Sequence, residues 1–274
     1  MHDPAHVRTQ SAPIATPLFV YQSGAGTSLL LIHGLMASGA MYQPVLPALA
    51  THHHVIVPDL RGHGRSGALP RPYTVEQLAR DLAQLLDDLQ IDAAHILGYS
   101  QGGAVAQQFA RDYPKRVHSL VLACTYAYNM LSRRERLEGM LSPWLVRILG
   151  MRRLARLVIY SGGGRRMPPE TARWLQGILA ANDTARMVAA VEAMKVFDSR
   201  PWLHQITCPT LVIAGAEDTA VPLAHAQMLA QGIPGAQLRI VDGAGHFLLW
   251  THPDVVVHTT EAFLATVHGK ETDS

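Results

Sequence analysis

The sequence predicts an α/β domain in which a mostly parallel sheet is flanked by helices, and three observations support this fold class. Short apolar runs alternate with segments of helical periodicity along most of the 274 residues. Runs such as Leu29–Ile32 and Thr210–Gly215 are apolar at nearly every position, which is typical of parallel strands covered on both faces. Hydrophobic residues make up 48% of the chain, so a chain of this length can bury a large core.

Seven segments have the length and composition of strands. The first is expected to run antiparallel, and the others are expected to form the parallel part of the sheet. In chain order these segments are Leu18–Tyr21, Ser28–Ile32, Val55–Pro58, His95–Tyr99, Val117–Ala123, Thr210–Gly215 and Gln237–Asp242.

Three helices can be predicted between or after these strands. Thr74 is a favourable N-cap, and the apolar residues that follow it recur at helical spacing as far as about Leu89. The segment Gln101–Tyr113 also has a helical pattern, and Pro114 ends it. Pro253–Val267 begins with proline at a favourable first helical position and closes the domain.

The strand pattern stops between residues 129 and 201, where the sequence is helix-like and interrupted by prolines and by Gly162–Gly164. We therefore expect a helical cap at 129–201, inserted into a core domain formed by residues 1–128 and 202–274. Between Asn129 and Arg173 there are ten arginines and three acidic residues, a balance of +7, whereas the whole chain carries +2. Such a surface is expected to attract anionic substrates or an anionic lipid surface, or else to be a solvated helical face.

Composition excludes several functional classes. A net charge of +2 argues against nucleic-acid binding as a main activity. No apolar run has the length of a signal peptide or of a membrane-spanning helix, so we expect a soluble, cytoplasmic protein without integral membrane association. Cys124 and Cys208 are too few for a disulfide scaffold and are expected to be two buried free thiols. Nothing in the sequence predicts a metal or cofactor, and it does not indicate the oligomeric state.

The motif Gly98-Tyr99-Ser100-Gln101-Gly102 lies between a predicted strand and a predicted helix. This context is the one in which a G-x-S-x-G motif forms a nucleophile elbow, a tight turn that requires small residues beside the serine. The helix N-terminus that follows favours developing negative charge. Ser100 is therefore the predicted nucleophile.

A second motif, His33-Gly34-Leu35, directly follows the second predicted strand. We expect the backbone N–H groups of Leu35 and Gln101 to form an oxyanion hole for a tetrahedral intermediate. The Leu35 side chain is expected to line the acyl pocket. His33 is expected to shape the loop by hydrogen bonding rather than to act as a base.

A serine hydroxyl needs a base, and His246 is the best-placed of 15 histidines. It lies in a glycine-containing loop after the last predicted strand, a position that can return the imidazole to the sheet edge. The orienting acid is expected at Asp218, after the Thr210–Gly215 strand, in the chain order serine, acid, histidine. Glu217 is the nearest rival, and no acid directly follows Cys124.

Together these motifs resemble the α/β-hydrolase family over about residues 18–268. The resemblance implies an eight-stranded sheet, a Ser–Asp–His triad and a helical cap over the site. It also implies that the loop at 59–66 is structural, held by ion pairs of Asp59 or Arg61. Many relatives carry methionine where this chain has Gln101. The motifs that carry the resemblance are HGL at 33–35, DLRGHGRS at 59–66, GYSQGG at 98–103, the Asp218 loop and GAGH at 243–246.

The expected activity is hydrolysis of a small carboxylic ester, or of a lactone, through an acyl-enzyme on Ser100. Trp144 and Phe247 are further candidates for the substrate pocket. A carbon–carbon bond hydrolase often has tryptophan after the catalytic histidine, where this chain has Phe247. Perhydrolysis uses the same three residues and remains an alternative. A small-molecule sensor with little turnover is the alternative from a different functional class.

Overall fold

A computed structural model of the chain describes residues 18–128, 130–161 and 166–271. Within them a seven-stranded sheet has the order β1-β3-β2-β4-β5-β6-β7, with β1 antiparallel to β3 and every other pairing parallel. The strands are β1 (Val20–Ser23), β2 (Thr27–Ile32), β3 (His53–Pro58), β4 (Ala94–Tyr99), β5 (Val117–Ala123), β6 (Thr210–Gly215) and β7 (Gln237–Val241).

The seven strands predicted from the residues are all present; six of their fourteen ends are shifted by one or two positions and the other eight coincide with the prediction. The resemblance implied an eighth strand, and none is found in the part of the chain that the structure describes. Between the seven strands the described residues form helices and loops.

Nine α-helices accompany the sheet in the described ranges. Thr74 caps the second of them as predicted, because its side-chain oxygen accepts a hydrogen bond from the backbone N–H of Gln77 at 3.2 Å. The helices are α1 (Leu46–Leu49), α2 (Val75–Asp88), α3 (Gln101–Asp112), α4 (Arg133–Ser161), α5 (Pro169–Ala180), α6 (Thr184–Met194), α7 (Leu223–Gly232), α8 (Leu248–Thr251) and α9 (Pro253–Glu271).

The buried strands separate two apolar cores, one on each face of the sheet. Alternate residues of a strand point to opposite faces, so Leu29 and Leu31 enter one core while Leu30 and Ile32 enter the other. This two-sided burial explains why β2 has an uninterrupted apolar sequence.

Helices α4, α5 and α6 lie between β5 and β6 in the chain, and we call them the helical insertion. Helix α4 continues through Pro143 and bends at Gly150, whose φ of 64° lies outside the helical region. Residues from all three helices, including Leu154, Leu175 and Met187, are buried in the same core. The insertion is therefore packed on the domain rather than held away from it.

Two further expectations concern thiols and membranes. Cys124 and Cys208 are both free, as predicted, but only Cys124 is fully buried. None of the helices in the described part of the chain is long and apolar enough to cross a membrane.

Candidate active site

Ser100 lies in a strained turn between β4 and α3. Its φ of 54° and ψ of −121° are rare for a residue with a side chain, and the turn is held by a hydrogen bond from its N–H to the carbonyl of Ala123 at 2.9 Å. The glycines around it have no room for a side chain. A Cβ at Gly98 would lie 2.5 Å from the carbonyl oxygen of Gly102, and one at Gly102 would lie 2.0 Å from that of Ile32.

The loop after β2 lies directly against Ser100. A Cβ built on Gly34 would be 3.2 Å from the Cβ of Ser100, so the backbone of this loop passes close to the serine. Leu35, the next residue, is partly buried and packs against the core. Gln101 is the first residue of α3, where the helix itself offers its N–H no acceptor. The two predicted backbone donors are thus on segments that adjoin Ser100.

His33 shapes this loop as predicted. Its Nδ1–H donates to the carbonyl of Gly34 at 2.8 Å, and its Nε2 accepts from the N–H of Leu60 at 2.9 Å. Burial lowers the pKa of His33 to about 4. It also lowers the pKa of the neighbouring His63 to about 3, with a further contribution from His33. Both rings are therefore neutral near pH 7 and act as fixed hydrogen-bonding groups.

Asp218 and His246 form the hydrogen-bonded pair that the sequence predicts. The Nδ1 atom of His246 lies 2.8 Å from Oδ2 of Asp218. The other carboxylate oxygen accepts hydrogen bonds from the N–H groups of Ala220 and Val221, at 2.9 Å and 2.8 Å. The Asp218 side chain is only 1% exposed. This arrangement holds the proton of the neutral imidazole on Nδ1 and leaves Nε2 as the acceptor.

Glu217, the rival acid, has a different environment. Its side chain is 50% exposed and forms an ion pair with Arg166, in the segment between α4 and α5. The same guanidinium donates to the carbonyl of Gly243, in the loop that carries His246. Glu217 therefore binds Arg166, next to the insertion, whereas Asp218 binds His246.

Tyr99 is a site residue that the sequence reasoning missed. Its hydroxyl donates to the backbone carbonyl of His246, and the two rings lie 5.3 Å apart. The side chain is buried. Its place next to Ser100 in the motif was the only signal, because the contact spans 147 positions of sequence.

Comparison with known proteins identifies the fold family. The family model described as the α/β hydrolase fold matches residues 27–165 and 173–253, which is most of the chain. The chain belongs to the α/β-hydrolase fold family. Its relatives with hydrolase names support hydrolase activity.

Three similar proteins illustrate the range within the family. A poly(3-hydroxyalkanoate) depolymerase from Ectopseudomonas oleovorans is 36% identical over 242 residues, covering 87% of this chain and 84% of the relative. The 3-oxoadipate enol-lactonase 2 of Acinetobacter baylyi is 30% identical over 256 residues, covering 90% and 88%. The solved structure of a thermophilic esterase from Thermogutta terrifontis has a TM-score of 0.84 at 31% identity, covering 93% of this chain and 96% of that one.

The loop at 59–66 of this α/β-hydrolase is held by hydrogen bonds and by one ion pair. Arg61 forms a two-pronged ion pair with Asp81 on α2, at 2.6 and 2.7 Å, as expected. Asp59 instead accepts backbone N–H groups from Gly39 at 2.7 Å and Arg65 at 2.8 Å. A carboxylate has two acceptor oxygens, so Asp59 can join two chain segments without a cation.

Asn182, which lies between α5 and α6, joins the insertion to two loops at once. Its side-chain oxygen accepts from the N–H of Gly64 at 3.0 Å, and its amide donates to the carbonyl of Met36. Met36 follows Leu35, so this contact reaches the segment expected to supply an oxyanion donor. Asn182 is the second site residue that the sequence reasoning missed.

The predicted pocket residues lie in different environments. Phe247 is buried, with its ring 5.9 Å from that of His246 and 5.7 Å from that of Trp250. Trp144 is 61% exposed on α4, where the Arg147 guanidinium lies 5.9 Å from its ring. Its assignment to the pocket stays a prediction.

Cys124, Asp218 and His246 place three potential metal-ligating atoms within 4.8 Å of one another. Hydrogen bonds already use both oxygens of Asp218 and Nδ1 of His246. Burial, reinforced by the charge of Asp218, raises the pKa of the Cys124 thiol well above its usual value, so no thiolate ligand is offered. This donor set fits a hydrogen-bonded triad better than a metal site.

Proposed function

We propose that this chain is a serine hydrolase that cleaves carboxylic esters through an acyl-enzyme on Ser100. His246 is the general base and acid, and Asp218 orients it. The observation that carries the proposal is the buried Asp218–His246 hydrogen bond at the sheet edge from which Ser100 also projects. Ser100 follows β4, Asp218 follows β6 and His246 follows β7 closely, and the carboxyl ends of parallel strands meet at one edge of a sheet.

In the acylation step, Oγ of Ser100 attacks the carbonyl carbon while Nε2 of His246 takes the hydroxyl proton. The carbonyl oxygen becomes an oxyanion, and Asp218 stabilises the imidazolium. Collapse of the tetrahedral intermediate breaks the bond to the alkoxy oxygen, which leaves as an alcohol with the proton from His246. The acyl group stays on Ser100.

Deacylation repeats these steps with water. His246 takes a proton from water as the water oxygen attacks the acyl carbon, and it returns that proton to Oγ of Ser100 as the carboxylic acid leaves. In both steps the N–H groups of Leu35 and Gln101 are the proposed donors to the oxyanion. Loss of one such donor typically costs about 2.7–4 kcal/mol of transition-state stabilisation.

The substrate class is supported by the chemistry that the relatives' names describe. A poly(3-hydroxyalkanoate) is a linear polyester, and an enol-lactone is a cyclic ester, so both names refer to an acyl–oxygen bond. We propose that the helical insertion caps the site and that Leu35 and Phe247 line its acyl side. Both side chains pack in the core that the insertion shares.

The test is steady-state turnover on p-nitrophenyl esters of increasing acyl length, on γ- and δ-lactones, and on an ester with added hydrogen peroxide. A carbon–carbon bond substrate completes the panel. We expect many turnovers on at least one ester or lactone, and a fall in kcat of about 10⁴-fold or more in Ser100→Ala. Ser161→Ala, at the exposed end of α4, is the matched control and should retain turnover.

Two outcomes would contradict the proposal. One is ester turnover that survives in Ser100→Ala. The other is a single slow turnover in the wild-type chain coupled to ligand-dependent binding of a partner, which is the behaviour of a sensor. Faster cleavage of the carbon–carbon substrate, or a peroxide product, would reassign the reaction while keeping the same three residues.

A further inference from the structure

The first part of α4 carries an exposed apolar face. Six large hydrophobic residues there are between 42% and 71% exposed, although side chains of this kind are usually at least partly buried. The structure describes ten exposed large hydrophobic residues, and eight of them are on this one helix. The six residues are Leu137, Met140, Leu141, Trp144, Leu145 and Ile148, and we call them the apolar stripe.

The stripe has the geometry of a single helix face. Its members are spaced three or four residues apart around the helix, and at 3.6 residues per turn they fall within an arc of about 140°. The opposite side of the same segment contains Pro143 and Val146, which are buried against the domain. This part of α4 is thus apolar on two faces, and the fold covers only one of them.

A contiguous apolar face on the surface of a protein marks an interaction site, whereas single exposed hydrophobic residues do not. Polar groups beside the stripe indicate what kind of surface it meets. The part of α4 that carries the stripe, before Gly150, has four arginines and two glutamates, a balance of +2, and three more arginines follow Gly150. Oε1 of one glutamate, Glu135, lies 2.6 Å from Nε2 of His225 in the core domain, so this carboxylate points away from the stripe.

Beyond the bend at Gly150 the basic character continues. A concavity of about 520 Å³ is lined by Arg152, Arg153, Arg156 and Arg173, and none of its described lining residues is acidic. Guanidinium groups bind phosphate oxygens through paired hydrogen bonds, so a cluster of four suits phosphate groups. An apolar stripe and an arginine cluster suited to phosphate groups therefore follow one another along the chain, on either side of the kink at Gly150.

We propose that α4 docks on an anionic lipid–water interface. The stripe enters the boundary between headgroups and acyl chains, and the arginines contact lipid phosphates, as in amphipathic helices that lie in the plane of a membrane. The charge argues for this occupant over a second copy of the chain. Two copies paired through this face would bring together two surfaces of positive net charge, with an arginine cluster next to each.

The proposal does not depend on the proposed hydrolase activity, because it concerns binding alone. The test uses the full chain carrying Ser100→Ala, so that lipid is not consumed. Binding is measured by co-sedimentation with phosphatidylcholine vesicles, with and without about 30% phosphatidylglycerol. We expect at least about tenfold tighter binding to the anionic vesicles, weakening as NaCl rises from about 0.05 to about 0.5 M.

The stripe variant is Leu137→Ser/Met140→Ser/Ile148→Ser, and the matched control is Val196→Ser/Leu238→Ser, which removes exposed hydrophobic residues elsewhere. We expect the stripe variant to lose at least about tenfold in binding to anionic vesicles and the control to keep wild-type binding. Made in the chain with Ser100 intact, both should hydrolyse a short soluble ester at the wild-type rate. That shared rate shows that the variants are folded.

Three results would overturn the proposal. The first is the absence of binding to any vesicle, and the second is equal binding by the stripe variant and the control. The third is a concentration-dependent dimer in sedimentation velocity that dissociates in the stripe variant, which would assign the face to a second copy of the chain.

Discussion

Asp218 and Glu217 are adjacent in the sequence, but the fold places their carboxylates in different environments. Asp218 is buried, and its two oxygens are divided between His246 and two backbone N–H groups. Glu217 is half exposed and bound to Arg166. The sequence favoured Asp218 through its position after a strand and through the absence of an acid after Cys124, but it offered no sign that Glu217 would pair with Arg166. Which of two neighbouring side chains turns inward depends on contacts that are remote in sequence.

The two acids give a direct comparison. Asp218→Asn is expected to reduce kcat on an ester by about 10³–10⁴-fold, because an amide cannot hold the imidazole in the required tautomer or stabilise its cation. Glu217→Gln should change kcat by less than about fivefold, since an exposed ion pair contributes little. Steady-state kinetics on the two purified variants measures both effects, and similar losses would show that the acid is wrongly assigned.

The buried histidines His33 and His63 predict a pH dependence of stability. Their folded-state pKa values of about 4 and about 3 lie below the unfolded value, so below about pH 6.5 the unfolded chain binds more protons. Stability is therefore lost as pH falls. Between about pH 7.5 and about pH 5, each histidine should lower the free energy of unfolding by about 2 kcal/mol. Urea unfolding at these two pH values measures the change in the free energy of unfolding. Equal stabilities at the two pH values would contradict the lowered pKa values of His33 and His63.

At the scale of elements, the strands and the turn at Ser100 were predictable because local patterns determine them. Continuous apolar runs required burial on both faces, and the glycines around Ser100 required a turn without side chains. The bend in α4 was not predictable in this way. The sequence suggested that Pro143 would interrupt the helix, yet the helix continues there and bends at Gly150. Gly150 breaks the helix at a φ of 64°, a conformation that glycine adopts readily, while Pro143 lies within the helix.

The turn predicts a contrast between two glycines. Gly102→Ala should lower the free energy of unfolding by about 3 kcal/mol or more, because the new Cβ would meet the backbone of Ile32 at 2.0 Å. Gly177→Ala, on helix α5, meets nothing within 4 Å and should raise stability by up to about 1 kcal/mol. Thermal unfolding of both variants tests this. A Gly102→Ala variant as stable as wild type would show that the turn is looser than described.

At the scale of the whole molecule, the insertion is joined to the loops around the site by contacts that no local pattern could reveal. Asn182 binds Gly64 and Met36 across 118 and 146 positions of sequence. Arg166 reaches the loops that carry Asp218 and His246. The sequence predicted a helical segment between two strands, but it could not show where that segment is attached.

These attachments predict that Asn182 affects both stability and activity. Asn182→Ala leaves the N–H of Gly64 and the carbonyl of Met36 without their side-chain partner, which should lower the free energy of unfolding by about 1–3 kcal/mol. Movement of the loop that contains Leu35 should also reduce kcat/KM by about 10- to 100-fold. Urea unfolding and ester kinetics measure the two effects. Unchanged kinetics in a destabilised variant would limit Asn182 to a structural role.

The central claim is that Ser100 is a nucleophile activated by His246 and Asp218. The most direct test of this claim is to measure the mass of the intact chain after reaction with a fluorophosphonate and then to identify the labelled peptide. We predict one adduct per chain on the peptide that contains Ser100, no adduct in Ser100→Ala, and much slower labelling in Asp218→Asn. Labelling that persists in Ser100→Ala, or a wild-type chain that hydrolyses esters without being labelled, would contradict the account.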